Sequence, residues 1–377
     1  MAVNDKYADL DRYIDRLIAE STPENTVWNV EKRLENAPIK WNYIDGCMMT
    51  ALLSMKEITG EQRYFDFVES FIGSFVREDG SIRSFDPDKH MLDDINEGRV
   101  LFDLYSATGK EKYRKAAEVL RKALDNQPRT EEGSWWHKQV YPNQVWLDGV
   151  YMAQPFAALY EKHFGQGDYS DILKQVAIVR ERMRDPKTGL YYHGYDASKT
   201  AFWADRTTGL SRSFWLRAIG WFCTALADLC EIMPESETGL IRQTLSDLTG
   251  DLLPFADPET GMYYQVVDQP ALEGNYLETS GSAMIAYAML KGARLGVLSP
   301  AMGEQGKKTF DGIVRTNLSF SGDALNLDHI CLVAGLGPED NRRRDGSAAY
   351  YLSEPVVQNE AKGVAPLLMC YTEVRRV

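Results

Sequence analysis

Cysteine is scarce in this chain. There are five in 377 residues, Cys47, Cys223, Cys230, Cys331 and Cys370. They are scattered, odd in number and mostly set in apolar runs. That argues against a disulfide framework and for buried free thiols in a reducing compartment. Histidine is equally rare, at five. No Cys/His spacing suits zinc and no His-Glu-x-x-His motif occurs, so neither a metal nor another cofactor is expected. Positive charge is in deficit, with 42 Lys and Arg against 55 Asp and Glu, a net charge of −13. Such a surface does not wrap nucleic acid. No apolar run is long enough to cross a membrane, so no membrane partner is expected. The first residues lack a basic start followed by an apolar block. No signal peptide is therefore expected, which points to the cytoplasm. No Gly/Ser-rich or Pro-rich linker interrupts the chain, and one domain over residues 1–377 is expected.

What is present is a large apolar fraction, 44% of residues, distributed in two kinds of helix. One kind is amphipathic. Tyr7, Leu10, Tyr13, Ile14, Leu17 and Ile18 form one stripe. Tyr64, Phe65, Phe67, Val68, Phe71, Ile72, Phe75 and Val76 form another. Ile241, Leu245, Leu248 and Leu252 form a third. The three-four spacing marks helices with one buried face. The other kind is apolar on nearly every side, as in WNYIDGCMMTALLSM, DDINEGRVLFDLY, WLDGVYMAQPFAALY, FWLRAIGWFCTALADL, SAMIAYAML and AKGVAPLLMCY. Helices of that composition are buried all round. Alternation of the two kinds, with about six inner helices, predicts an all-α fold: an (α/α)6 barrel with inner and outer rings. An open solenoid is the alternative.

Connections into the outer helices are short, such as ATGKEKY. Those into the inner helices are long and aromatic. Two share a pattern, Asp185-Pro186-Lys187-Thr188-Gly189-Leu190-Tyr191-Tyr192 and Asp257-Pro258-Glu259-Thr260-Gly261-Met262-Tyr263-Tyr264. Such segments make turns and short strands. Long loops gathered at one end of a barrel carry the site. Trp135, Trp136, Trp146, Tyr191, Tyr192, Trp203, Trp215, Trp221, Tyr263 and Tyr264 lie near those loops. Their rings suit sugar platforms and core filling equally.

Several polar residues stand where the loops meet the inner helices. Asp93 and Asp94 are cap residues or site carboxylates. Asp148 precedes a nearly apolar helix, so it must be desolvated or face a cavity. Desolvation would raise its pKa and suit a general acid. His193 alone reads as a hydrogen-bonded loop residue or a catalyst. Arg217, within an apolar helix, needs an anion, either a side-chain carboxylate or a ligand. Trp221 lies one turn on, at i,i+4, and Tyr43 sits in WNYIDG.

The segment His137-Lys138-x-x-Tyr141-Pro142-Asn143-Gln144-x-Trp146-Leu147-Asp148-Gly149-x-Tyr151-Met152-Ala153 resembles the signature of glycoside hydrolase family 105. Support comes from Gly189–Gly194, Trp215–Trp221, Asn275–Gly281 and Arg344-Asp345-Gly346-Ser347 with Tyr350-Tyr351. The resemblance runs from about Trp41 to the C-terminus. It implies the same barrel, with an oligosaccharide bearing a 4,5-unsaturated uronate at its non-reducing end as substrate. It also implies hydration of the C4=C5 bond. An acid protonates C4, water adds at C5, and the hemiketal opens to release the next sugar, by expectation rhamnose. By resemblance Asp148 is general acid and base. Asp93 is the second carboxylate, preferred over Asp94 because it stands five residues before Gly98. Tyr43, His137, Trp146, His193, Arg217 and Trp221 bind substrate. The chemistry requires no metal. The family often has Gly where this chain has Ala218, a change that would reshape the sugar subsite. Two other readings stay open: an inverting glycosidase on a saturated sugar, and a non-catalytic sugar-binding protein of the same fold.

Overall fold

The computed structural model describes residues 7–321 and 324–376. Residues 1–6, on which the expected absence of a signal peptide rests, lie outside the described residues. Among the described residues, twelve helices of eight or more residues build two rings. The outer ring is α1 (Ala8–Ala19), α3 (Gln62–Phe75), α5 (Glu111–Asp125), α7 (Ser170–Met183), α9 (Gly239–Leu252) and α11 (Pro300–Asn317). The inner ring is α2 (Tyr43–Thr59), α4 (Leu101–Thr108), α6 (Leu147–His163), α8 (Leu216–Ile232), α10 (Thr279–Arg294) and α12 (Ala361–Arg375).

Burial follows the two sequence patterns. In α3 only the stripe Tyr64, Val68, Phe71, Ile72 and Phe75 is buried. In α8 every residue from Leu216 to Cys230 is buried. α2 packs on the segment Asn96–Val100 that leads into α4, each later inner helix packs on the next, and α12 packs on both α10 and α2. That contact closes the ring and disposes of the open solenoid. The closure is pinned by hydrogen bonds between distant parts of the chain. Ala361 N–H donates to the Trp28 carbonyl at 2.8 Å, and the Tyr13 hydroxyl donates to Asn359 at 2.8 Å.

The second inner element differs from its expected form. DDINEGRVLFDLY is not one helix. Residues 92–94 and Asn96–Val100 wind as tighter 3-10 turns, and only Leu101–Thr108 is α-helical. The cause is polar and steric. Asn96 and Glu97 are fully buried. Asn96 donates to the Tyr151 carbonyl at 3.3 Å, and Glu97 accepts the Asn42 N–H at 2.6 Å. These bonds bind the segment to both neighbouring inner helices. Gly46 lets α2 come so near that a Cβ there would lie 2.7 Å from the Glu97 Cα. A segment held on both sides takes the tighter winding.

Loop asymmetry is as expected. The outer-ring connections, such as residues 60–61 and 109–110, are short. Residues 126–146, 184–215, 253–278 and 318–360 all lead into inner helices. The long loops therefore share one mouth. At the opposite end, Asp228 of α8 accepts from Arg99 at 2.6 Å, from the Tyr287 hydroxyl at 2.6 Å and from Lys291 at 2.8 Å. Burial would raise this carboxyl, but Lys291 and Arg99 outweigh it and hold it at about 2. The cluster borders a cavity of about 570 Å³.

Candidate active site

The loop mouth holds a cleft of about 330 Å³. Its geometry begins with a short antiparallel pair, β1 (Gln144–Trp146) on β2 (Gly194–Asp196), in which Trp146 faces Gly194. β1 runs straight into α6. Leu147 N–H donates to the His193 carbonyl at 3.0 Å. Asp148, second residue of α6, is thereby set beside His193. His193 Nε2 lies 3.1 Å from Asp148 Oδ2. The two atoms are in polar contact, and neither has an aligned hydrogen-bond partner among the described residues. Behind, His193 Nδ1 and the Tyr351 hydroxyl are 2.7 Å apart.

The sequence expectation for the Asp148 acidity is corrected here. Burial does raise the carboxyl, but His193 and then His137 outweigh it and hold it below the usual carboxylate range. A desolvation argument from sequence had no means of placing an imidazole at 3.1 Å.

The second wall comes from residues 91–94. Leu92 N–H donates to the His137 carbonyl at 3.1 Å, and the Trp41 indole donates to the Asp94 carbonyl at 2.7 Å. Asp93 and Asp94 both line the cleft. Asp93 is bound to Lys138 at 2.6 Å, with His137 Nε2 at 3.6 Å. No ion pair engages Asp94 among the described residues. Burial, then the charge of Asp93, pushes Asp94 up to about 7. Burial pushes His137 down to about 4, against the pull of Asp93, which leaves it neutral near pH 7. Among the described residues no group of three or more His, Cys, Asp or Glu could hold a metal ion.

The structure thus brings Asp148, Asp93, His137, Trp146 and Tyr43 to one cleft. His193 stands just behind it, fully buried and against Asp148. Arg217 and Trp221 lie beneath the floor. Arg217 donates to the Ser280 hydroxyl at 3.2 Å and to the carbonyls of Cys331 and Leu332. No carboxylate forms an ion pair with it among the described residues, although the charge of Glu278 reaches it. Trp221 stacks on Tyr151 at 4.7 Å and meets the edge of Tyr43 at 6.2 Å. Ala218 is buried in α8 and does not line the cleft.

Of the ten aromatics singled out in the sequence, Trp146 lines this cleft, and Trp41 and Tyr141 join it there. Tyr191, Trp203, Trp215 and Tyr263 are core. His137 and Tyr141 both stack against Trp146, at 4.4 Å and 4.7 Å. Sequence reasoning gave no role to Lys138, Tyr141, Arg344 or Tyr351, although all four lie in the motifs quoted above. Glu31 and residues 333–335 of the cleft had no such signal.

Tyr351→Phe removes the partner of His193 Nδ1 while keeping the ring. A hydrogen bond of this kind is worth about 1 kcal/mol, so kcat/KM on a turned-over substrate is expected to fall between about fivefold and tenfold. Denaturation should show a stability change of about 1 kcal/mol or less. Unaltered kinetics would remove the Tyr351 hydroxyl from the site.

Carboxylates, imidazoles and a tryptophan at one mouth of an (α/α)6 barrel form the active-site architecture of a glycoside hydrolase. The chain belongs to the glycoside hydrolases of families 88 and 105, the model of Glycosyl Hydrolase Family 88 matching residues 13–377. A family 105 glycoside hydrolase structure from C. acetobutylicum ATCC 824 is 40% identical, with a TM-score of 0.88 over 97% of this chain and 100% of that one. Protein Atu3128 of Agrobacterium fabrum is 39% identical over 59% of this chain and 97% of its own length. The unsaturated rhamnogalacturonyl hydrolase YesR of Bacillus subtilis is 26% identical over 73% of this chain and 78% of its own.

Proposed function

We propose that the enzyme removes a 4,5-unsaturated uronic acid from the non-reducing end of lyase-generated oligosaccharides, by hydrating the C4=C5 bond. The observation that carries this reading is a carboxylate held at the cleft against a buried imidazole, Asp148 with His193 at 3.1 Å. Direct displacement at a glycosidic bond needs two working carboxylates, and Asp93 is engaged by Lys138. Hydration needs one. Protonated Asp148 gives its proton to C4, and the double-bond electrons form the new C–H bond. Positive charge develops at C5 and is shared with the ring oxygen. Water adds there, returning a proton to the Asp148 carboxylate. The C5 hemiketal then opens, which frees the linked sugar. Tyr43, His137 and Trp146 bind the sugar in this reading, with His193 positioning Asp148 and Arg217 and Trp221 supporting the floor.

The relation to YesR supports unsaturated galacturonyl-rhamnose from pectin as the substrate. The whole chain, 1–377, acts as one catalytic domain. Its five free thiols favour a reducing compartment, the cytoplasm.

One observation favours a second reading. Asp94, pushed up to about 7, opposite an ionised Asp148 would make an acid and base pair for an inverting glycosidase. The test is to offer lyase-generated rhamnogalacturonan disaccharide and its saturated counterpart in deuterated water. Loss of the conjugated ultraviolet absorbance, with one deuterium appearing at C4 of the released keto acid, is expected. Cleavage of the saturated sugar with the absorbance intact would overturn hydration in favour of inversion.

A further inference from the structure

We propose that Arg344 recognises the carboxylate of the uronate, an assignment that rests on the function proposed above. The chain carries a net charge of −13, and four carboxylates, Glu31, Asp93, Asp94 and Asp148, line the cleft. An anionic sugar enters such a site only if a cation meets it. The other cations at or near the cleft are either engaged or exposed. Arg217 is engaged by Ser280 and two backbone carbonyls. Lys138 holds Asp93 at 2.6 Å, and Lys32 holds Glu35 at 2.6 Å. Lys40 and Lys89 are exposed at the rim, where salt screens them.

Arg344 is half-buried and lines the cleft. No carboxylate pairs with it among the described residues, and its buried Nε has no hydrogen-bond partner. Its two arginine neighbours make the contrast plain. Arg342 pairs with Glu339 at 3.3 Å, and Arg343 pairs with Glu354 at 3.0 Å. Of three consecutive arginines, only the one at the cleft lacks an acid. A guanidinium fork matches a carboxylate with two parallel hydrogen bonds, which a lysine does not.

The segment holding Arg344 is fixed before any ligand arrives. Gly337 N–H donates to the Arg344 carbonyl at 2.8 Å, and Arg344 N–H donates to Asn341 at 3.2 Å. Gly346 follows with φ +71°, a left-handed turn that favours glycine. Leu336 is fully buried with Trp146 and Trp203. At Gly335 a Cβ would stand 3.4 Å from both Arg344 Nη1 and the Trp146 indole. The absence of a side chain there lets the guanidinium and the indole flank one space.

The test compares wild type, Arg344→Ala and Arg344→Lys on the unsaturated rhamnogalacturonan disaccharide as free acid and as methyl ester. Calorimetry with galacturonate and its methyl ester reads binding separately. Wild type should prefer the acid. Arg344→Ala should raise KM for the acid by roughly two orders of magnitude, the scale of a charge-assisted pair. Its kcat should move little, and its acid-to-ester preference should vanish. Arg344→Lys should recover part of that preference. An alanine variant that still prefers the acid overturns the assignment and leaves the hydration reading standing. If wild type turns over neither substrate, the hydration reading falls and calorimetry decides. Galacturonate binding abolished in the alanine variant supports a carboxylate site at Arg344. Equal binding, or none to wild type, overturns it.

Discussion

Asp148→Asn is expected to abolish loss of the conjugated absorbance, with kcat down by roughly three orders of magnitude, the range for a general acid and base. The amide has no proton to give to C4 and no carboxylate to take one from water. The fold should survive. Asp148 borders a cleft, and asparagine keeps its shape. Stability should stay within about 1 kcal/mol, because the amide can keep the polar contact with His193. The pH dependence follows from the acidity. His193 and His137 outweigh burial and hold the free-enzyme carboxyl below the usual range, yet C4 requires its protonated form. kcat/KM should therefore rise as pH falls from neutrality toward the carboxylate range. The substrate assists, because a second carboxylate near Asp148 raises its pKa by like-charge repulsion. A flat profile across that range, or an Asn variant with more than about a tenth of wild-type kcat, would remove Asp148 from the acid role.

At the far end of the barrel, Asp228→Asn should destabilise the protein by about 3–5 kcal/mol at pH 7. The carboxylate answers two buried cations, Arg99 and Lys291, and accepts the Tyr287 hydroxyl. An amide satisfies part of the hydrogen bonding and none of the charge. Lys291 keeps Glu231 at 2.6 Å, whereas Arg99 already has Nε and Nη1 without partners. The carboxyl is depressed in the folded state, to about 2. Its contribution is full above the unfolded value of about 4 and is lost as pH falls through about 2. Urea denaturation of both proteins from pH 7 to pH 2 should show the gap narrowing only at the acid end. A gap below about 1 kcal/mol at pH 7 would mean that the network does not hold this end together.

The two burial patterns made the barrel legible, because a helix apolar on all sides has one place to go. The tight winding at Asn96–Val100 was not legible. It depends on what Asn96 and Glu97 meet across the ring, and a single strand of sequence carries no such partners. Asp148, His137 and Trp146 were visible as a motif and Asp93 by its place before Gly98, and one strand-to-helix segment delivers Trp146 and Asp148 together. The position of His193 against Asp148 was not, because the β1–β2 pairing that makes it joins segments about fifty residues apart. The immediate partners of Arg217, the carbonyls of residues 331 and 332, were likewise invisible in sequence, because they come from a segment more than a hundred residues away.

The contact between α2 and α12 has a consequence in time. α2 and α12 are neighbours across the seam, beside which Tyr13 of α1 bonds Asn359. During synthesis the apolar flank of α2 waits uncovered until residues 361–375 have been made. The barrel cannot mature piecemeal, as stacked repeats can, and its nascent form is the one most exposed to aggregation.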